Sequence, residues 1–139
     1  MSNAQLERFH EYLACFNAGD FDRLREYYAD DVELINGAGV VMRGPDEVFA
    51  FYREVRSVTQ RTIKVLRALA DEHLVFAELE SEFLATTDAP DFASGPMREG
   101  DRLYINTVAV YEVRDGRFAR VRAAALRREW RRREDAPPA

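Results

Sequence analysis

One cysteine, one tryptophan, one lysine and two histidines in 139 residues remove several kinds of chemistry at the outset. A lone thiol, Cys15, excludes an internal disulfide framework, and its apolar neighbours make it a small core residue. His10 and His73 lie far from each other and from Cys15, so no metal-ligand spacing exists. Gly37-Ala38-Gly39 lacks the strand-and-helix context of a phosphate loop, and no serine sits in a nucleophile motif. No cofactor and no metal are therefore expected. No stretch approaches the roughly 18 consecutive apolar residues of a membrane span, and no charged start leads into a long apolar run. The expectation is a cytoplasmic protein without membrane contact. A net charge of −5 offers nucleic acid no general attraction.

What is present is an ordinary globular balance, 47% hydrophobic and 32% charged, on a chain long enough for one sizeable core. Leu6, Phe9, Leu13 and Phe16 recur at helical spacing, with Tyr12 on the edge of that stripe. Asn17-Ala18-Gly19 reads as the stop, and Asp20 as the N-cap of a second helix over Phe21 to Ala29. Val32 to Ile35 is a short strand, Asn36 to Gly39 a turn, and Val40 to Met42 its hairpin partner. Pro45, with Asp46 and Glu47 behind it, opens a third helix running to about Val55.

Residues 61–70 and 74–85 fit a strand or an amphipathic helix about equally. In the second of them, however, Glu78, Glu80 and Glu82 alternate with Ala77, Leu79, Ser81 and Phe83, which favours a strand with one apolar face. Asp71-Glu72-His73 between them reads as a hairpin turn. Leu103 to Val113 and Phe118 to Leu126 flank an Asp115-Gly116 turn, a strong hairpin signal. Residues 87–101 form a long loop of the kind that is either disordered or a lid. Its carboxylates Asp88, Asp91, Glu99 and Asp101 read as solvated. The glutamate row on 78–82 and the arginines Arg120 and Arg122 are expected to pair across the outer face of a sheet. From Arg127 onward the chain is charged. It reads as a solvated helix or frayed tail over 128–139, beyond a single domain spanning 1–127. Helices first and strands afterwards argue for an α+β fold with helices on one face of a sheet.

The stretch YLACFNAGDFDRLREYYADD, followed by a short strand and then RGPDEVFAFYREV, resembles the nuclear-transport-factor-2-like superfamily, and within it ketosteroid isomerases and SnoaL-like polyketide cyclases. The likeness runs over roughly residues 5 to 127. It implies a cone: a curved antiparallel or mixed sheet wrapped around three N-terminal helices, enclosing an apolar pocket and commonly pairing into homodimers through the sheet. Ketosteroid isomerases use an aspartate base and an oxyanion hole made of a tyrosine and a protonated aspartate. By the resemblance the oxyanion tyrosine falls on Tyr12, and two tyrosines of its hydrogen-bonded network fall on Tyr28 and Tyr52. The base falls on Asn36 and the protonated aspartate on Asn106, beside Tyr104. An amide cannot accept a proton near neutral pH, but it donates a hydrogen bond. Plain ketosteroid isomerase is thus excluded. The leading expectation is a cofactor-independent isomerase, cyclase, dehydratase or lyase acting on a small hydrophobic oxygenated ring compound. In that reading Tyr12 and Asn106 stabilise an enolate or phenolate, Asn36 positions substrate, and Tyr28, Tyr52 and Tyr104 bind it. The alternative is a non-catalytic binding module for a hydrophobic small molecule.

Overall fold

In a computed structural model, residues 3–133 are described. Helix α1 (Ala4–Ala18) buries Phe9, Tyr12, Leu13, Cys15 and Phe16 along one stripe. It stops at Gly19, whose φ of 72° lets the amides of Gly19 and Asp20 reach the carbonyls of Phe16 and Cys15. Asp20 accepts the Arg23 amide at 3.2 Å, as an N-cap should. The second helix is shorter than its pattern promised. α2 (Phe21–Leu24) makes one turn, tightens into a 3-10 turn at Arg25–Tyr27, and Tyr28 is already extended. Tyr28 opens strand β1 (Tyr28–Ile35) in parallel register with Phe118, and its complete burial there outweighs the helical continuation to Ala29.

Strand β2 (Val41–Arg43) returns along β1 as expected, and α3 (Gly44–Val58) begins with Pro45 in its first turn. The two ambiguous segments are strands, β3 (Thr59–Ala70) and β4 (Leu74–Ala85), joined through the Asp71 turn. β5 (Arg102–Arg114) and β6 (Arg117–Arg131) form the last hairpin, with φ positive at Asp115 and Gly116. The six strands lie in the order β2-β1-β6-β5-β4-β3, antiparallel except where β1 meets β6. The register breaks at Val65/Arg67, Asn106/Thr107 and Glu112/Val113, the irregularities that bend a sheet. The α+β, nuclear-transport-factor-2-like cone is therefore the fold.

Three expectations about the surface are corrected. Residues 127–131 are not a solvated tail but the end of β6, with Arg131 opposite Arg102 and Trp130 opposite Leu103. The domain therefore runs past 127, and residues 134–139 of the expected tail lie outside the described residues. Asp101 is not solvated: it is 2% exposed and held by two backbone amides and Arg132. The glutamate row does face outward, but Arg120 and Arg122 are two strands away. Glu78 pairs with Arg67 and Glu82 with Arg102, while Arg120 serves Glu33 and Glu112.

The main core lies between α1, α3 and the inner face of the sheet. A second cluster around Val55, Phe83, Met97 and Leu103 lies beneath the 86–101 loop. One side chain fastens the end of α1 to the sheet. Asn17 donates through Nδ2 to the Ile63 carbonyl at 3.0 Å and accepts the Ile63 amide at 2.9 Å. That clamp sets Phe16 beside β3 and so fixes one wall of the cavity described next.

Candidate active site

A cavity of about 120 Å3 opens between α1, α3 and the inner face of the sheet. Tyr12 and Tyr111 stand at its floor, where Tyr12 packs edge-on against Phe118 at 4.9 Å between ring centres. Phe16 and Tyr52 form the helical wall, also edge-on, 5.0 Å apart. Leu79, Ser81, Ile105, Thr107 and Ala109 form the sheet wall. At the mouth stand Asn36 to Ala38 on one side and Phe92 to Ser94 with Arg128 on the other. A second, wider chamber of about 360 Å3 abuts the first and shares Phe51, Val55, Phe92 and Ala93 with it. Glu54, Asp88 and Asp91 belong to that outer chamber.

The three tyrosines of the sequence reading come together. The hydroxyls of Tyr12 and Tyr28 are 2.5 Å apart, and Tyr28 is wholly enclosed behind Tyr12. Burial pushes both phenols well above their ordinary value, and the neighbouring tyrosines push further. Burial also raises Tyr52, while the Arg61 charge and hydrogen bonding to Tyr28 and Tyr12 pull it back. All three therefore remain protonated donors throughout the neutral range. Tyr111, raised by burial, completes the aromatic floor; the sequence reading passed over it because a tyrosine in an alternating strand has no distinguishing pattern.

The amides and Tyr104 behave differently. Asn36 lines the mouth, but its Oδ1 accepts the Ala38 and Val40 amides at 2.9 and 3.0 Å, so its acceptor closes the β1–β2 turn. Asn106 does not reach the cavity. Its Nδ2 donates to Glu78 Oε2 at 3.1 Å on the outer face of the sheet, which removes it from the oxyanion role. Tyr104 shares that outer face, where it interacts with Glu82 and lies beneath the Arg131 guanidinium, so it does not bind cavity ligand. The physical reason is the two-residue period of a strand: Leu103, Ile105, Ala109 and Tyr111 are buried inward, so Tyr104 and Asn106 must point out.

A charged residue has no place in the sequence expectations either. Arg61 on β3 lies on the cavity side with Ile63, its guanidinium 4.8 Å from the ring centre of Phe83, 5.1 Å from Phe16 and 5.9 Å from Tyr52. Its Nε is enclosed with no hydrogen-bond partner, and burial lowers its pKa. The available signal was parity, since Arg61 alternates in phase with the apolar Ile63 and Val65. Among the described residues, the lining of the inner cavity contains arginine, hydroxyl and amide groups but no carboxylate, imidazole or thiol. Among the described residues, no group of three or more His, Cys, Asp or Glu could hold a metal ion.

The family described as "SnoaL-like domain" matches residues 9–121 of the chain. No curated protein matches it in sequence. Among solved structures, a candidate SnoaL-like polyketide cyclase from Shewanella denitrificans superposes with a TM-score of 0.76 at 12% identity. That comparison covers 89% of this chain and 91% of that one. An epoxide hydrolase/cyclase-like enzyme of pyran ring formation in the polyether salinomycin gives 0.70 at 19% identity, covering 90% and 94%. An LEH-like epoxide hydrolase of M. tuberculosis gives 0.65 at 21%, covering 82% and 76%. At such identities these likenesses establish the fold.

Proposed function

The chain belongs to the SnoaL-like domain family, and from that premise we propose that it is a cofactor-independent isomerase- or cyclase-type enzyme acting on a small oxygenated ring compound, or on a chain about to close into one. The observation that carries the reading is the 2.5 Å contact between the Tyr12 and Tyr28 hydroxyls at a cavity wall. Oxygen that gains negative charge during reaction is stabilised by donors already in place, because no solvent has to reorganise around it. Tyr12 and Tyr52 are those donors, and Tyr28 fixes the direction of the Tyr12 hydroxyl. With no carboxylate among the described residues of the inner chamber, the proton leaving the substrate carbon goes to water, to a basic atom of the substrate itself, or to Glu54, Asp88 or Asp91 where the substrate reaches the outer chamber. Such a site suits a 1,3-dicarbonyl, whose methylene is acidic enough to enolise without a strong base.

Tyr12→Phe removes one donor and leaves the ring packing. Phenolate affinity should fall about 10–100-fold, the worth of one hydrogen bond to a charged group, while the fold is kept and stability falls by about 1–2 kcal/mol because the buried Tyr28 hydroxyl loses a partner. Titration with a nitrophenol, whose ionised and neutral forms absorb differently, reads this directly. Unchanged affinity would return Tyr12 to a purely packing role.

The missing base favours one competing reading, a holder of the enolate form without turnover. Deuterium exchange at the α-carbon of ethyl 2-oxocyclopentanecarboxylate, a β-keto ester that stays mostly neutral and ketonic at neutral pH, separates them: acceleration by the protein marks an enzyme, and binding without acceleration marks a holder.

We also propose a homodimer through the outer face of the sheet. Leu69, Phe76 and Val108 are 76%, 50% and 42% exposed, and Phe76 stands directly between Leu69 and Val110 in the register. The charged rows flanking them are neutralised within the subunit, which leaves this apolar stretch as the surface that gains from a second copy. Light scattering should give twice the chain mass at micromolar concentration, reverting to one chain in Phe76→Asp. A monomeric wild type removes the proposal.

A further inference from the structure

Arg61 asks for a ligand of definite charge. Most charged groups drawn into this fold find partners: Asp101 has three donors, Glu78 has Arg67 and Asn106, and Glu82 has Arg102. Among the described residues, no ion pair or hydrogen bond holds the Arg61 side chain. Aromatic rings surround it instead; the residue is half-buried, with its Nε shut away from solvent. Ring faces attract a cation but leave the in-plane N–H groups of the guanidinium unused, and a charge drawn from water without a partner is costly. Chains keep such a group where something else completes it. The guanidinium presents a planar fork of donors that matches a carboxylate with two parallel hydrogen bonds.

We propose that the ligand of this cavity is a monocyclic hydroxy or oxo acid whose carboxylate is bound by Arg61. The inference rests on the reading of the cavity as the ligand site and adds the ligand's charge and size. About 120 Å3 is close to the roughly 150 Å3 cavity that accepts a benzene ring, so the inner chamber takes one ring. Substituents extend into the outer chamber, whose Glu54, Asp88 and Asp91 repel a second anionic group at that end. The permanent charge anchors at Arg61, and the oxygen that gains charge in reaction meets Tyr12 and Tyr52.

Calorimetric titration of three one-ring probes tests the assignment: 4-hydroxybenzoate, its neutral amide 4-hydroxybenzamide, and 4-methylphenol. The wild type should bind the acid at least 10-fold more tightly than the amide. That preference should be flat from about pH 6 to 7.5, below the ionisation of either phenol, and fade below about pH 5 as the carboxylate protonates. Arg61→Met should abolish the acid–amide preference and leave 4-methylphenol affinity unchanged; Arg61→Lys should restore part of it. Equal affinity for acid and amide in the wild type, which needs no variant, overturns the proposal. So does a preference that survives Arg61→Met. If Tyr12→Phe leaves phenol affinity untouched while the acid–amide preference holds, the enolate reading fails and the carboxylate site stands. Failure of all three probes to bind at millimolar concentration overturns both.

Discussion

Asp101→Ala is expected to lower stability by about 3–5 kcal/mol, the range found when one partner of a buried charged network is removed. For a chain of this length that is a fall in Tm of about 10–20 °C. Asp101 Oδ2 accepts the Arg98 amide at 2.9 Å and Arg132 at 3.1 Å, and Oδ1 accepts the Arg133 amide at 2.8 Å. Alanine takes that acceptor away from the two amides and from the half-exposed Arg132 guanidinium. Arg132 also donates to the Pro96 carbonyl and stacks on Trp130 at 3.8 Å, so the loop, the β5 entry and the end of β6 loosen together. The loop carries Phe92 and Ala93, which line both chambers, so ligand affinity should fall with stability.

The same residue gives a pH dependence whose sign follows from its surroundings. Burial pushes the Asp101 carboxyl up, but the Arg133 and Arg98 amides and the Arg132 guanidinium more than offset this and hold it below its ordinary value. A group with a depressed folded pKa contributes its full stability above its unfolded pKa, near 4, and loses it as pH falls through the folded value. Wild-type stability should therefore decline on that acid limb. The Asp101→Asn variant, already destabilised, should lack that part of the decline. Chemical denaturation at a series of pH values checks this, and identical acid limbs in the two proteins would exclude Asp101 as a source.

Arg61→Met should act in the opposite direction and raise stability slightly, by about 0.5–1 kcal/mol for a half-buried charge whose Nε alone is enclosed, seen as a Tm higher by about 2–4 °C. Both residues are charges drawn into the fold, but Asp101 is fully hydrogen-bonded and Arg61 is not. An apolar side chain of similar length keeps the contacts to Phe16, Tyr52 and Phe83 while removing an unpartnered charge. The lost attraction to those rings offsets part of the gain, which is why the expected figure is small. A more stable protein that binds its acid ligand less well is the signature of a residue retained for function. Destabilisation by Arg61→Met would mean that the rings alone satisfy the guanidinium.

Local rules carried the sequence a long way. The stripe from Leu6 to Phe16, the stop at Gly19, the cap at Asp20, the start at Pro45 and the Asp115-Gly116 turn all depend on residues within a few positions of one another. Each was therefore readable without the rest of the chain. The convergence of Tyr12, Tyr28 and Tyr52 was legible only through the family likeness of the N-terminal third, since no spacing rule places residues 12, 28 and 52 together. Asn106 shows the limit of that likeness. Alignment to a family position carried no information on strand parity, and a single step along β5 moves a side chain from the cavity to the outer face.

Tertiary structure decided what depended on distant partners. Tyr28 leaves its helix because Phe118, ninety residues on, offers a strand position with complete burial. Residues 127–131 become strand because β5 presents unpaired backbone to them, although their charge alone suggests solvent. Asp101 loses its expected standing as a solvated carboxylate for the same reason, and Arg61 gains a place in the cavity wall. Composition and pattern reveal which residues carry charge, whereas the free energy of a charge depends on which donors and acceptors the folded chain brings within about 3 Å of it.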